Sequence, residues 1–187
     1  AGTHWNGWTY RFLPYDFEIK TMTEEKYGKE KLMEDKGYRF QDWGITYDEL
    51  EPYFDQFEKT AGISGEENPL GGKRSDKYPN PPMVKTKILK MFEKATKEMK
   101  YHPYMLPSAN MSQEYTNPDG EKMGACQYCA FCERFACEYA AKASPEVTVI
   151  PTAEKTGNYT IRTEANVVEI IKDGNNKVKG VKFVDTV

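Results

Sequence analysis

The sequence predicts an α+β fold, because helical signals in its middle are followed by strand signals at its C-terminal end. In residues 85–100 apolar side chains recur at helical spacing, while runs of β-branched residues appear after residue 156. The residues Asp-Gly-Asn-Asn at 173–176 have the composition of a hairpin turn between two such runs. A chain of 187 residues can form one domain, or a domain with an insert.

Composition excludes several classes of protein. Hydrophobic residues make up 39% of the chain, which is enough for a core and argues against disorder throughout. A formal net charge of -3 gives no electrostatic case for binding nucleic acid. The sequence has neither a run of the roughly 20 apolar residues that a bilayer requires nor a signal-peptide pattern at its start. We therefore expect a cytoplasmic or peripherally membrane-associated protein.

Residues 1–45 form the first segment, which is expected to be a loop rich in aromatic side chains. Its charged stretch 24–36 is predicted to be a solvated helix or a disordered insert. A loop with so many specific side chains usually lies on a scaffold. We expect that scaffold to come from residues before Ala1.

Residues 46–125 form the second segment, which is predicted to be mainly helical. Thr46 and Glu49 have the spacing of a capping box at a helix start. Pro52 predicts a turn before a regular helix that runs to about Thr60. The buried side of that helix is predicted to consist of three apolar residues, Leu50, Phe54 and Phe57.

A loop and a second helix are predicted next. The density of Gly and Pro predicts a loop over 62–82, and apolar spacing predicts a helix over 85–100. Residues 101–112 are expected to be extended, because each proline biases its predecessor away from helix. Five apolar residues are predicted to form one side of the second helix: Ile88, Leu89, Phe92, Ala95 and Met99.

Residues 126–155 hold all four cysteines. Cys126, Cys129, Cys132 and Cys137 form the pattern C-x2-C-x2-C-x4-C. Tight runs of this kind are typical of iron–sulfur ligands, although the bacterial ferredoxin run has one residue fewer in its last gap and a proline after it. Four-cysteine zinc sites usually separate two pairs by a longer loop. Iron–sulfur, zinc and reduced thiols without a metal all stay open on spacing alone.

The C-terminal part of the chain is predicted to contain one more helix and three strands. Ser144 followed by Pro145 is typical of a helix start. In the last segment, 156–187, strand-like runs cover 159–163, 167–171 and 178–184, and the hairpin turn joins the last two.

No self-contained catalytic motif is present. The two histidines, His4 and His102, have no local carboxylate partner that would make an acid–base site. The sequence contains no GxSxG, P-loop or HExxH pattern, and no GxGxxG turn for a dinucleotide. Residue patterns alone therefore identify no catalytic group in this chain.

Five segments, in order, resemble the GMC oxidoreductases, especially the bacterial FAD-dependent glucose, fructose and gluconate dehydrogenases. THWNGWTYRFLPYDF is similar to the loop after that family's Gly-Gly turn, which carries His-Trp followed by Arg-Phe-Leu-Pro. DWGITYDELEPYF resembles the family's Asp-Trp-Pro segment. YPNPPM and YHPYMLPSANMS are similar to its substrate domain, and the stretch from AKASPEV to VKGVKFVD resembles the return to its FAD domain.

The resemblance implies an FAD site that this chain supplies in part. The residues expected along the isoalloxazine and pyrophosphate are Gly2, Thr3, His4, Trp5, Asn6 and Gly7. Val167 matches a strand segment whose backbone touches the adenine. The dinucleotide turn is expected before Ala1 and the catalytic base after Val187, so no catalytic residue is expected within the chain.

The resemblance also implies a two-domain protein of which this chain is an internal fragment. Residues 1–45 would contact the flavin, and 46–125 would form a helical cap in the substrate region. Residues 126–155 would carry the cysteines and the helix after them, and 156–187 would add a β-hairpin or meander to the FAD domain.

The cysteines match a region that holds a three-iron cluster in membrane-associated members of the family, whose ligands have the spacing C-x5-C-x3-C. Cys126 and Cys132 reproduce the first gap, whereas Cys137 comes one residue late. Cys129 would not be a ligand. The resemblance therefore implies electron flow through an iron–sulfur cluster to a cytochrome or a small membrane-associated subunit.

Two functions follow as hypotheses. In the first, the whole protein oxidises a CH–OH group of a sugar, polyol or sugar acid by hydride transfer to FAD, while the isolated chain is inactive and self-associates. In the second, the chain is a non-enzymatic iron–sulfur or zinc-binding module for electron transfer or protein interaction. A strand–GxGxxG–helix unit before Ala1 would distinguish the first from the second.

Overall fold

A computed structural model describes residues 11–28, 39–132 and 135–186. Two units follow each other along the chain, Ala1–Thr152 and Ala153–Val187. Helices and small antiparallel sheets both occur, in agreement with the predicted α+β class. In the part of the chain that is described, no helix is long and apolar enough to cross a membrane.

Two short helices, α1 (Pro14–Phe17) and α2 (Ile19–Tyr27), lie in the segment predicted to be a loop, so that prediction was wrong here. Pro14 at the first helical position favours α1. At the start of α2, the Asp42 carboxylate accepts hydrogen bonds from the backbone N–H groups of Lys20 (2.8 Å) and Thr21 (3.2 Å). This cap comes from a residue more than 20 positions away, which local sequence patterns do not reveal.

The charged stretch predicted over 24–36 begins inside α2. Residues 29–38 lie outside the described part of the chain. The helical alternative for this stretch is therefore confirmed only up to Tyr27.

Helix α3 (Tyr47–Ala61) begins at the predicted capping box. Glu49 N–H donates to Thr46 Oγ1 (3.3 Å), and Thr46 N–H donates to the Glu49 carboxylate (2.8 Å). The predicted turn at Pro52 was wrong, because Pro52 lies within the helix and is exposed. Pro52 removes one backbone hydrogen bond, while capping and burial of the opposite face hold the helix together.

The hydrophobic core of the first unit draws mainly on irregular segments, together with Ala61 at the end of α3 and Met123 of a short strand. The predicted loop 62–82 and extended run 101–112 are both found, and Ser64 links them through bridges to Asn80 and to Ser108. Strands β1 (Tyr115–Thr116) and β2 (Lys122–Met123) pair antiparallel beside them. The buried cluster consists of Ala61, Ile63, Ala109, Met111, Met123 and Ala143.

Helix α4 (Lys87–Glu98) confirms the predicted second helix, with Thr86 as its N-cap. Its predicted apolar side forms, yet it is exposed: Ile88 is 77% and Phe92 is 63% accessible. Local interactions support the helix instead, including the cap and the ion pair between Glu93 and Lys97 (2.7 Å). The apolar side of α4 is therefore unburied in this chain.

A 3-10 turn (Pro145–Val147) and helix α5 (Val149–Lys155) follow Ser144, so the predicted helix start is confirmed. Strands β3 (Ala165–Lys172) and β4 (Val178–Asp185) form the predicted antiparallel hairpin in the second unit. Asp173 N–H donates to the Lys177 carbonyl (2.8 Å) across its turn.

The strand predicted at 159–163 was wrong, because those residues pair with no strand in the described structure. Arg162 in this run instead forms an ion pair with Asp185 (2.8 Å) and stacks on the ring of Phe183. A run of β-branched and aromatic residues forms a strand only when a partner strand accepts its hydrogen bonds.

Candidate functional site

Two carboxylates lie on the buried side of α3, for which only apolar residues were predicted. Tyr47, Glu51 and Glu58 are buried, whereas the three predicted residues are only partly buried: Leu50, Phe54 and Phe57. Glu51 is 8% and Glu58 is 5% exposed. Spacings of four and seven residues place these side chains on one face of the helix. Two carboxylates on a buried face require cationic partners.

The Arg11 guanidinium is the first of these partners. Its Nε and Nη2 atoms donate to the two oxygens of Glu58 (2.9 and 3.1 Å), a bidentate pair. Its Nη1 atom donates to Glu51 Oε1 (2.8 Å) and to Tyr47 Oη (3.0 Å). The guanidinium also lies over the Phe54 ring, 5.3 Å from the centroid. Burial alone would lower the pKa of Arg11, but Glu58, Glu51 and Tyr47 raise it above its ordinary value.

Arg74 is the second partner. Its Nη1 atom donates to Glu58 Oε1 (3.3 Å), its Nη2 atom donates to Glu58 Oε2, and its Nε atom donates to the Asp76 carbonyl (3.1 Å). Its guanidinium stacks on the Tyr78 ring, 3.9 Å from the centroid. The Arg11 and Arg74 side chains are only 11% and 7% exposed. Two arginines facing two glutamates leave the network formally neutral, which limits the cost of burying four charges.

The network also holds the chain at residues 73–75. Tyr47 Oη donates to the Lys73 carbonyl (3.0 Å) while it accepts from Arg11. Glu51 Oε1 accepts from Ser75 N–H (3.0 Å) and from Ser75 Oγ (3.2 Å). Burial would raise the pKa of Glu51, but these bonds and Arg11 outweigh it and lower the pKa. Two segments distant in sequence, at Arg11 and at residues 73–75, are thereby joined to one face of α3.

A small cavity of about 50 Å³ lies beside the network, lined in part by Arg11, Gly72 and Tyr104. Cavities that hold substrates or cofactors are typically about 300 Å³ or larger. The cavity is therefore too small for a sugar. The charged side chains therefore serve to hold neighbouring backbone segments in place rather than to form a binding pocket.

The residues predicted to contact FAD fall into two groups. Gly2, Thr3, His4, Trp5, Asn6 and Gly7 lie outside the described residues. Val167 lies on β3 opposite Phe183, and its side chain is 52% exposed. Arg11, four residues after Gly7, is where the described chain begins. One member of the charged network, Arg11, thus lies shortly after the expected flavin loop in the sequence.

All four cysteines are free thiols. Cys126 N–H donates to the Met111 carbonyl (2.9 Å), which ties this segment to the core. The Cys132 sulfur accepts a weak hydrogen bond from Asn110 Nδ2 (3.8 Å), and Cys129 is exposed. Across residues 11–28, 39–132 and 135–186, no three His, Cys, Asp or Glu side chains come together as a metal site. The described arrangement therefore does not fit the expected iron–sulfur cluster or a zinc site.

The cysteine segment instead lines an open groove of about 550 Å³. Phe131 and Phe135 meet edge to face in it, with ring centroids 6.2 Å apart. Cys129, Cys132 and Cys137 lie along the same groove. The segment thus presents thiols beside aromatic surface, but not as a ligand set.

Three members of the network were not predicted from sequence patterns: Glu51, Glu58 and Arg74. A signal was available: Glu51 and Glu58 are seven residues apart on the same face as Tyr47 and Phe54. Acidic residues at such positions are usually solvent-exposed, so their burial could be inferred only by pairing them with particular arginines.

Tyr78, which stacks on Arg74, makes the stability of the fold depend on pH in the alkaline range. Burial, and then the charge of Glu58, raise its pKa from 10.0 to about 12. Between these values the unfolded phenol loses its proton while the folded one keeps it. The stability that Tyr78 contributes below about pH 10 is therefore lost as the pH rises towards 12.

The urea concentration at the midpoint of unfolding should therefore fall between about pH 10 and 12 in the wild type. In Tyr78→Phe we expect a smaller fall over this range, because the phenol is absent. The exposed Tyr53→Phe variant should follow wild type, and identical profiles for all three proteins would contradict the expectation.

Comparison with known proteins adds a family and named relatives. Residues 35–187 match the family model for GMC oxidoreductases. The chain is 36% identical to the gluconate 2-dehydrogenase flavoprotein of Pantoea cypripedii, with 99% of this chain and 32% of that protein aligned. It is 27% identical to 2-methyl-1,2-propanediol dehydrogenase of Mycolicibacterium austroafricanum, over 98% of this chain and 30% of that protein.

A more distant relative is the paromamine 6'-oxidase of Streptomyces fradiae, at 23% identity over 97% of this chain and 29% of that protein. The chain therefore spans about a third of the length of these curated relatives.

Proposed function

The chain belongs to the GMC oxidoreductase family, and we propose that it is part of an FAD-dependent enzyme that oxidises a CH–OH group of a sugar, polyol or sugar acid. The observation that carries this proposal is the 36% identity with a gluconate 2-dehydrogenase flavoprotein across 99% of the chain. A second relative is named for the oxidation of a diol. Both named compounds bear hydroxyl groups, which supports an alcohol substrate.

In this proposal, the chain supplies some of the residues that contact FAD. When bound, FAD accepts the hydride that leaves the substrate carbon. Residues 2–7 would contact its isoalloxazine and pyrophosphate, and Val167 would contact its adenine. The chain contains no GxGxxG turn. We propose that this turn and the catalytic base come from other parts of the polypeptide, so the chain by itself is inactive.

Electron transfer beyond the flavin is proposed without a step through the cysteines, because the described cysteine segment holds no metal-ligand group. The proposed acceptor is a cytochrome or a small membrane-associated subunit. The family match also includes the cysteine segment, which favours the enzyme over a separate iron–sulfur or zinc module. The exposed apolar side of α4 supports the further proposal that the isolated chain self-associates.

The test uses the full-length protein that contains this chain. We expect absorbance bands at about 370 and about 450 nm, as bound oxidised flavin gives. Under anaerobic conditions, gluconate, glucose or 1,2-propanediol should bleach the longer-wavelength band. Citrate is the matched control, because it carries a hydroxyl group but no CH–OH hydrogen to donate.

Two results would contradict the proposal. One is a purified protein without flavin bands, and iron–sulfur absorbance in their place would favour the electron-transfer module. The other is a bound flavin that no alcohol of this set reduces, which would contradict the proposed substrate class.

A further inference from the structure

Helix α4 is held on the first unit by polar side chains rather than by its apolar side. Just before the helix, Lys85 pairs with Glu93 of α4 (3.0 Å) and with Glu66 of the preceding loop (3.2 Å). The Glu66 carboxylate also accepts a hydrogen bond from Met105 N–H (2.5 Å), which follows the helix. Within α4, which is described in full, no residue is buried. The first unit therefore does not use the apolar side of this helix for its own packing.

This apolar side is broad and continuous. Met91 is 65% and Met99 is 64% exposed, in addition to Ile88 and Phe92. An open groove of about 260 Å³, lined in part by Leu89, Phe92 and Pro103, extends the apolar surface onto the residues that follow the helix. An exposed apolar surface of this kind usually marks a site of interaction.

The opposite side of α4 is strongly basic. Residues 85–100 contain six lysines and two glutamates, which gives them a net charge of +4, although the whole chain carries -3. Helical spacing places the four lysines within the helix on the side opposite Ile88 and Phe92. A basic amphipathic helix is typical of a membrane-binding surface. Five of the six lysines are exposed: Lys87, Lys90, Lys94, Lys97 and Lys100.

We propose that α4 is a docking surface for an anionic lipid membrane and lies parallel to the plane of the bilayer. Its apolar side chains enter the boundary between headgroups and acyl chains, while its lysines extend towards the lipid phosphates. This inference goes beyond the proposed function, because it assigns a membrane contact to this chain itself rather than to a separate subunit.

The charges and the apolar side chains together favour this partner. An apolar side that packs on another protein surface needs no excess of positive charge beside it, whereas anionic headgroups attract such an excess. Nucleic acid would also attract the lysines, but its phosphate backbone would leave Ile88 and Phe92 uncovered. An anionic membrane accounts for both sides of the helix.

The test measures how the full-length protein that contains this chain, purified without other subunits, sediments with sucrose-loaded vesicles. Vesicles of equimolar phosphatidylcholine and phosphatidylglycerol are compared with vesicles of phosphatidylcholine alone. We expect binding to the anionic vesicles only. Binding should weaken as the salt concentration rises from about 0.01 to about 0.15 M, because the Debye length falls from about 30 to about 8 Å.

Two variants separate the charged from the apolar contribution. The triple variant Lys87→Gln, Lys90→Gln, Lys94→Gln should bind about a hundredfold more weakly, because each lysine near an anionic surface strengthens binding about fivefold. Phe92→Gln should bind at least about tenfold more weakly, because it loses the burial of an aromatic ring. All four positions are exposed, so both variants should fold as the wild type does, which circular dichroism verifies.

Matched controls lie elsewhere in the chain. Lys172, Lys177 and Lys179 in the second unit are exposed, and replacing all three with glutamine changes the net charge by the same amount. Leu70→Gln removes an apolar side chain that is 67% exposed. At the higher salt concentration, both controls should bind within about twofold of wild type.

Three results would overturn the proposal. Equal losses for the two triple variants would assign binding to overall charge, and equal binding to both vesicle types would remove the preference for anionic lipid. A wild-type protein that does not bind the anionic vesicles would show that another part of the polypeptide or a second copy covers α4. Analytical ultracentrifugation of wild type and Phe92→Gln would then distinguish these two, because only a dimer formed through α4 dissociates in the variant.

Discussion

Replacing Glu58 with alanine is expected to lower the free energy of unfolding by about 3–5 kcal/mol. Glu58 accepts hydrogen bonds from both Arg11 and Arg74, and all three side chains are buried. Without it, two guanidinium groups stay in a poorly solvated site, and the buried carboxylate of Glu51 still pairs with Arg11. Breaking a buried pair costs more than the pair contributes, because an uncompensated charge is left behind.

The measurement is urea-induced unfolding of wild type, Glu58→Ala and Asp55→Ala at neutral pH. Asp55 lies on the same helix and pairs with Lys59 (2.9 Å), which is more exposed. Removing Asp55 should therefore cost far less than removing Glu58. Similar losses for the two variants would show that the buried network does not dominate the stability of this region.

Replacing Gly62 with alanine is expected to lower the free energy of unfolding by about 2–4 kcal/mol, from a left-handed backbone and an overpacked core. Gly62 ends α3 with φ 64°. A Cβ atom there would lie 2.5 Å from Met111 Sδ and 2.7 Å from Tyr115 Cδ1. Both neighbours belong to or pack against the buried cluster, so neither can move away freely.

Gly120→Ala separates the two contributions. Gly120 also has a positive φ of 83°, but a Cβ there would meet nothing within 4 Å. This variant should lose only the backbone part, about 1–2 kcal/mol. If Gly62→Ala and Gly120→Ala melt at the same temperature, crowding against Met111 contributes nothing measurable.

Local signals predicted the elements that local interactions hold together. The capping box at Thr46 and the turn at 173–176 each involve residues within a few positions of one another, and both formed as expected. Helix α2 was missed, because the carboxylate that accepts from N–H groups of its first turn belongs to Asp42, distant in sequence. The strand expected at 159–163 lacks a partner strand, which propensity cannot supply.

In the candidate site, too, local motifs were predictable from the sequence, whereas contacts between distant residues were not. The family resemblance predicts a flavin loop and an Arg-Phe-Leu-Pro continuation from motifs, but not what holds that continuation in place. From the sequence around them, Glu51 and Glu58 are expected to face solvent. Their partners, Arg11 and Arg74, come from other parts of the sequence. Only the fold brings these charges together. Sequence patterns therefore show that these polar residues are present, but they do not show which of them pair in a buried network.

The separation of Arg11 from Glu58 along the chain also bears on the order of folding events. Helix α3 can form from neighbouring residues, whereas the Arg11–Glu58 contact must close a loop between positions 47 apart. We expect this contact to form after the transition state, because it depends on a finished helix and closes a long loop. Weakening it would then accelerate unfolding with little change in the folding rate. The network is accordingly expected to govern how long the native state lasts rather than how quickly it is reached.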